Sequence, residues 1–332
     1  DAWWRAVAEA LAAPGVKPVG FARLGEALPY CSVAGLFAAL DNLAQSYDDH
    51  YRAGACALVD AAYARDAAET TARLDALVPA TASALGDELS GTLGYDGDRA
   101  HRIRRLGPAL GVAVARLAGQ RGAEPDPRID KLLTYELNLS DSHDLPYTRE
   151  AFAALPLARR ESVLAPSLPY TRGLAVAPLA MTPKLVDALV EVVLRWNPKY
   201  PTPADRALEA FAQGGAYARD ALRVALGKDN PNRPVFARAL GRFPDAAVAA
   251  DLVQHAQTAT KPTRPAYVEA LVGQGAHGVS AAATLLASKK ADARELAVEV
   301  LKGLAAVPEH AAAVAALAAE RAGGERSAAL RA

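Results

Sequence analysis

The side chains of this 332-residue chain that could do chemistry fall in a few short clusters. YDDHY (47–51) sets Asp48, Asp49 and His50 in succession, and SDSHD (140–144) strings together Asp141, Ser142, His143 and Asp144. Such residues can hold a metal ion or share a proton in hydrolysis. Adjacency argues against both uses. Neighbouring positions on a helix do not face one point, and hydrolytic triads assemble from separated segments. YDDHY reads as a solvated helix end and SDSHD as a turn with capping residues. DGD (96–98) opens like a calcium loop but lacks the later ligands and the closing glutamate. The six histidines form neither HxxxH nor HExxH. Cys31 and Cys56 make no CxxC or zinc spacing and read as buried helix thiols. Phosphate-loop, dinucleotide and nucleophile-elbow patterns are missing. The sequence therefore supplies no catalytic residue, metal ligand or cofactor, and leans against an enzyme.

Binding residues are easier to nominate. Arg219 and Arg223 stand four apart on one helix face, and Lys289 and Lys290 are expected to end another helix. If those helices line an inner surface, the four cations could touch an acidic partner. Trp3 and Trp4 are consecutive, so both cannot point inward on a helix, and one is expected to cover an interface. RAHRIRR (99–105) spreads Arg102, Arg104 and Arg105 over the outer half of a helix opposite Ile103, as a solvated face does. Overall charge balances at 37 Lys+Arg against 37 Asp+Glu, so no global field draws the protein to a polyanion. The distribution is uneven: residues 1–150 hold 15 cations against 21 carboxylates, and residues 151–332 hold 22 against 16.

The elements that must carry these residues are helices. Alanine is abundant and aromatics are few, which favours helix over strand. Apolar spacing predicts helices over Ala2–Ala12, Ser32–Tyr47, Ala53–Arg65, Ala67–Leu77 and Asp98–Gly119, the last kinked or split at Pro108. A region rich in turn formers follows, with short helices at Ile129–Leu137, Arg149–Ala154, Leu157–Leu164 and Leu174–Leu179, then a strongly apolar one at Pro183–Leu194. The phrase LPYTR occurs in this region at both 145–149 and 168–172. NPKYPTP (197–203) cannot lie inside a helix and marks a break. Three regions result: residues 1–122, helical; residues 123–200, irregular and Pro-rich; and residues 201–332, regular. Gly214, Gly227, Gly273 and Gly303 are expected where helices stop.

The regularity lies in one phrase. RPVFARAL (233–240) returns as RPAYVEAL (264–271) and RELAVEVL (294–301). Its leucines, Leu240, Leu271 and Leu301, form one ladder, and Leu222, Leu252, Leu285 and Leu317 form a second, out of phase, with the same period of about 30 residues. Two such ladders predict stacked helical hairpins. The pattern resembles HEAT repeats, including the bacterial HEAT-like kind: an Arg, small or apolar residues three and four later, then Leu at seven. Arg233, Arg264 and Arg294 begin the three copies, Asp292 takes the place of the family's acidic residue before the Arg, and Pro231 and Pro262 stand there in the earlier two. The resemblance covers about residues 204–322. It implies an all-α fold, an α-solenoid or superhelical array of helical hairpins with an irregular N-terminal portion. It also implies a binding scaffold, with second helices on the concave side.

The three arginines have two readings. They could be a cation ladder for a ligand. They could instead bond to carbonyls or carboxylates of the stack, because a cation at a helix N-terminus opposes the dipole and calls for a partner. The function expected is a non-catalytic protein-interaction scaffold with a protein on the concave face. The alternative is a nucleic-acid-binding or base-processing HEAT-like protein that uses the basic C-terminal portion. No uninterrupted apolar run is long enough to span a membrane, and no leader is apparent, so a soluble, cytoplasmic protein is expected. The chain starts at Asp1 and ends without an evident polar cap, which suggests a piece of something longer.

Overall fold

The computed structural model describes residues 31–43, 58–86, 126–138, 146–197, 199 and 203–322. Trp3 and Trp4, the clusters at 47–51, 96–98, 99–105 and 140–144, and the expected helices Ala2–Ala12 and Asp98–Gly119 lie outside them. The described residues are helical and include no strand. Contacts divide the chain into two compact units, Asp1–Leu179 and Ala180–Ala332. The division falls ahead of the NPKYPTP break because the helix at 183–194 packs onto the helix at 215–227.

The first unit contains helices α1 (Val33–Leu43), α2 (Ala67–Leu77), α3 (Pro127–Asn138), α4 (Pro146–Ala154), α5 (Leu157–Leu164) and α6 (Thr171–Val176), with a short turn between α4 and α5 and a 3-10 segment between α5 and α6. Residues 58–65 and 82–86 are also helical. Asp66 starts α2 by accepting the Glu69 N–H at 2.9 Å, which supplies one of the helix's orphan donors with an acceptor. Helix α3 is the centre of the described part: α4, α5 and α6 all pack on it. Its Leu132, Leu133 and Leu137 are sealed from solvent, as are Phe152, Leu164 and Leu174 on the helices around it. Tight turns link α4, α5 and α6. Gly173 sits so close to the Ser167 carbonyl that a β-carbon could not fit.

The second unit alternates two sets of helices. It runs α7 (Pro183–Leu194), α8 (Ala204–Gln213), α9 (Gly215–Gly227), α10 (Arg233–Leu240), α11 (Ala246–Ala256), α12 (Arg264–Gly273), α13 (Ala276–Leu286), α14 (Ala291–Ala305) and α15 (Pro308–Ala322). Helix α10 packs on α8, α12 on α10 and α14 on α12, forming one layer. The second layer has α9 against α7, α13 against α11 and α15 against α13. Leu240 and Leu271 are fully buried and Leu301 is 7% exposed; Leu222, Leu252 and Leu285 are buried in the other set, while Leu317 is only partly covered. Phe236 and Tyr267, the aromatics of the repeated phrase, are buried as well.

Starts and stops follow from local chemistry. Thr182 accepts the Leu185 N–H at 3.4 Å and Pro183 opens α7, where its missing donor costs nothing. Pro234 and Pro265 enter the first turns of α10 and α12 in the same way. Gly214 caps α8, and Gly227 and Gly273 close their helices. Gly303 departs from the expected use: it lies inside α14, where the close approach of Val272 on α12 leaves no room for a β-carbon. The left-handed backbone (φ 58° and 57°) falls instead at Gly215 and Gly275, in the turns from first-layer to second-layer helices.

Candidate functional site

Arg219 and Arg223 both lie on α9 and reach toward α11. Arg223 donates from Nε to Asp251 at 2.6 Å; Arg219 donates to its neighbour Asp220 at 2.9 Å and to Asp245, the N-cap of α11, at 3.4 Å. The hydrogen bond to Asp251 holds the Arg223 guanidinium above its ordinary range, and that to Asp220 does the same for Arg219. Asp245 is held low by the Val248 and Ala247 amides, then by the two arginines. These two cations thus bind α9 to α11.

Lys289 and Lys290 do not end a helix. Helix α13 stops at Leu286, and both lysines sit exposed in the connection to α14. The three phrase arginines stand just behind such connections. Arg233 Nε donates to the Lys228 carbonyl at 2.6 Å, and Arg294 Nη1 donates to the carbonyls of Ser288 at 3.0 Å and Lys289 at 3.1 Å. Arg264 crosses to the next helix of its layer: Nε donates to Glu299 at 3.1 Å, and Nη2 to the Asp292 carbonyl at 3.3 Å.

Sequence reasoning missed three kinds of bridging residue. Arg238 spans a whole layer, bonded to Asp205 on α8 at 3.2 Å and to Glu269 on α12 at 2.9 Å. Asn232, buried before α10, donates from Nδ2 to the carbonyls of Val193 at 2.9 Å and Trp196 at 2.8 Å. Gln274, buried after α12, donates from Nε2 to the Leu240 and Phe243 carbonyls at 2.9 and 3.2 Å, and its Oε1 accepts the Asp245 N–H at 3.0 Å. Each amide donates to carbonyls where an earlier helix ends, adding a second bond to those of Val193 and Leu240, which also accept the Trp196 and Phe243 amides.

These bonds also fix direction. The end of α12 meets the end of α10, and the start of α12 meets the start of α14, so the first-layer helices run parallel. Every connection from a second-layer to a first-layer helix therefore emerges on one edge of this unit. Together with the first turn of the helix that follows, those four connections hold ten Lys and Arg against three Asp. On the opposite edge, the connections and first turns counted in the same way hold one cation, Arg242, against two carboxylates, Asp245 and Glu309. Each connection of the basic edge carries an exposed lysine: Lys199, Lys228, Lys261, then Lys289 with Lys290. The lysines precede the phrase arginines by three to five residues, a signal visible once the phrases are aligned.

The outward face of the first layer has the opposite character, with Glu209, Glu269, Glu295 and Glu299 exposed. On the second layer, Tyr217 and Val224, seven apart on α9, are 45% and 68% exposed. Tyr217 donates its hydroxyl to Asp187 on α7 at 2.8 Å. Among the described residues no group of three or more His, Cys, Asp or Glu is placed to hold a metal ion, and no helix is long and apolar enough to cross a membrane.

No protein-family model and no curated protein matches the chain. A solved engineered protein aligns over 91% of this chain and 98% of its own at 14% identity, with a TM-score of 0.29, a likeness too slight to carry an argument.

Proposed function

We propose that the chain is a non-catalytic protein-interaction scaffold whose second unit is a HEAT-like α-solenoid. The observation that carries this reading is one packing relation made three times over, α8 to α10, α10 to α12 and α12 to α14, with the same phrase leucines buried at each step. Helical hairpins that each lean on their neighbours suit a stack built for surface rather than for an enclosed site. The partner face in this reading is the second layer, where Tyr217 and Val224 offer an aromatic and an aliphatic anchor. The nucleic-acid reading loses support at Arg219 and Arg223, whose charges are already matched by carboxylates on α9 and α11.

Cross-linking of the full chain with the proteins that co-purify with it, read by mass spectrometry, tests the proposal. Cross-links should concentrate on α9, α11 and α13, and Val224→Glu should abolish the association while leaving helix content intact. Binding to nucleic acid alone, with steep salt dependence, would overturn it.

A further inference from the structure

The lysine edge of the second unit is built rather than incidental. The phrase arginines stand behind it, and two of them bond the backbone of the lysines in front: Arg233 holds the Lys228 carbonyl and Arg294 holds the Lys289 carbonyl. With their guanidinium groups turned to the loops, to Asp229 or to Glu299, the arginines leave exposed lysines in front of them in the connections to α10, α12 and α14, the first of which also exposes Asp229. No ion pair within 4 Å engages Lys199, Lys261, Lys289 or Lys290 among the described residues, and Lys228 reaches Glu191 only at 3.7 Å.

Packed helices lie about 8–10 Å apart, so the row offers a cation or a pair of cations at roughly that interval. An extended polypeptide advances about 3.3 Å per residue, which brings a side chain to the same interval every third residue. The row is also narrow. It borders the first-layer face that exposes Glu209, Glu269, Glu295 and Glu299. Arg238 and Arg264 match Glu269 and Glu299 there, but Glu209 and Glu295 have no cation within 4 Å among the described residues, so a duplex or a flat anionic bilayer laid on the row would overhang them and be repelled, whereas a single strand of chain would not. Lysine ammonium groups, unlike the planar guanidinium fork, accept carboxylates without demanding one geometry.

We propose that this edge binds an extended acidic segment of a partner protein, with Lys199, Lys228, Lys261, Lys289 and Lys290 pairing with carboxylates about three residues apart. The inference rests on the protein-interaction reading but uses a different surface from the one proposed above, so the two can fail separately.

The test uses the full chain and a fluorescent polyglutamate peptide of about twelve residues, long enough to span the row, followed by anisotropy at low salt. Saturable binding is expected, weakening as salt rises. The variant Lys228→Glu/Lys261→Glu/Lys289→Glu/Lys290→Glu should bind at least about tenfold more weakly, the combined effect of several exposed pairs. The corresponding Gln variant covers the case in which four added carboxylates disturb folding, which circular dichroism would reveal. Arg242→Glu/Lys302→Glu, which removes cations away from this edge, should bind the peptide as the parent does. Absence of peptide binding, equal loss in both charge variants, or tighter binding to a short DNA duplex or to phosphatidylserine vesicles would overturn the proposal. Val224→Glu should leave peptide binding unchanged, so failure of the second-layer reading would be seen independently.

Discussion

Arg172 donates from Nη1 to Oε2 of Glu136 at 2.7 Å, and the two side chains are only 6% and 4% exposed. The pair ties α6 to α3 at the centre of the first unit. It also separates the two LPYTR phrases: the second places its arginine in the core, whereas Arg149 of the first is exposed. The same five residues meet different surroundings because the first phrase enters α4 at its proline, while the second enters α6 only at its threonine.

Breaking this pair from one side should be far worse than replacing both members. Glu136→Leu alone takes the carboxylate away from a buried guanidinium and should cost about 3–5 kcal/mol. Glu136→Leu with Arg172→Met should recover most of that loss, since a well-packed apolar pair often matches a buried ion pair. Urea unfolding followed by circular dichroism checks both, and equal loss in the single and double variants would contradict the expectation.

Gln274 bridges three backbone groups of the preceding hairpin and is 1% exposed. Gln274→Leu keeps much of the volume and removes every bond, leaving the Leu240 and Phe243 carbonyls and the Asp245 amide without that partner. A loss of about 1–3 kcal/mol per group left unsatisfied is the expected range, lowered where water reaches the turn. Native-state hydrogen exchange should show the effect first at the Asp245 amide and the start of α11.

The helix registers of the second unit were legible because burial on one side imposes a 3.6-residue period. Pro183–Leu194 emerges with the bounds its apolar spacing predicts. Asn232 and Gln274 were not legible, because a buried amide is justified only by carbonyls 30 to 40 positions away in sequence. The binding residues divide in the same manner. Four-residue spacing places Arg219 and Arg223 on one face but cannot reveal Asp245 and Asp251 opposite them. The lysine edge depends on helix direction, which no local pattern encodes.

Two glycines at helix ends should respond oppositely to alanine. Gly273 lies against the Gly241 carbonyl of the neighbouring helix, so a β-carbon would push α12 from α10. Gly273→Ala is expected to lose about 1–3 kcal/mol, the usual cost of overpacking. Gly227, the last residue of α9, has open space around it. Gly227→Ala should be neutral or stabilise by up to about 1 kcal/mol, through helix propensity and a less flexible unfolded chain. Paired melting curves of the two variants decide the matter.

Asp245 links helix capping to pH. Its carboxylate accepts the Ala247 and Val248 amides at 2.8 and 3.2 Å and faces Arg219 and Arg223, which together hold its folded pKa below the ordinary aspartate value. A depressed folded pKa means that the unfolded state binds the proton more readily. The stabilising contribution is therefore complete above the unfolded value of about 4 and fades as pH falls through the lower folded value. Asp245→Asn preserves a capping oxygen and removes the titration, so its α11 amides should hold their chemical shifts through the acid range where those of the parent move. If parent and variant amides at Ala247 and Val248 shift together between about pH 5 and pH 2, another group governs the cap.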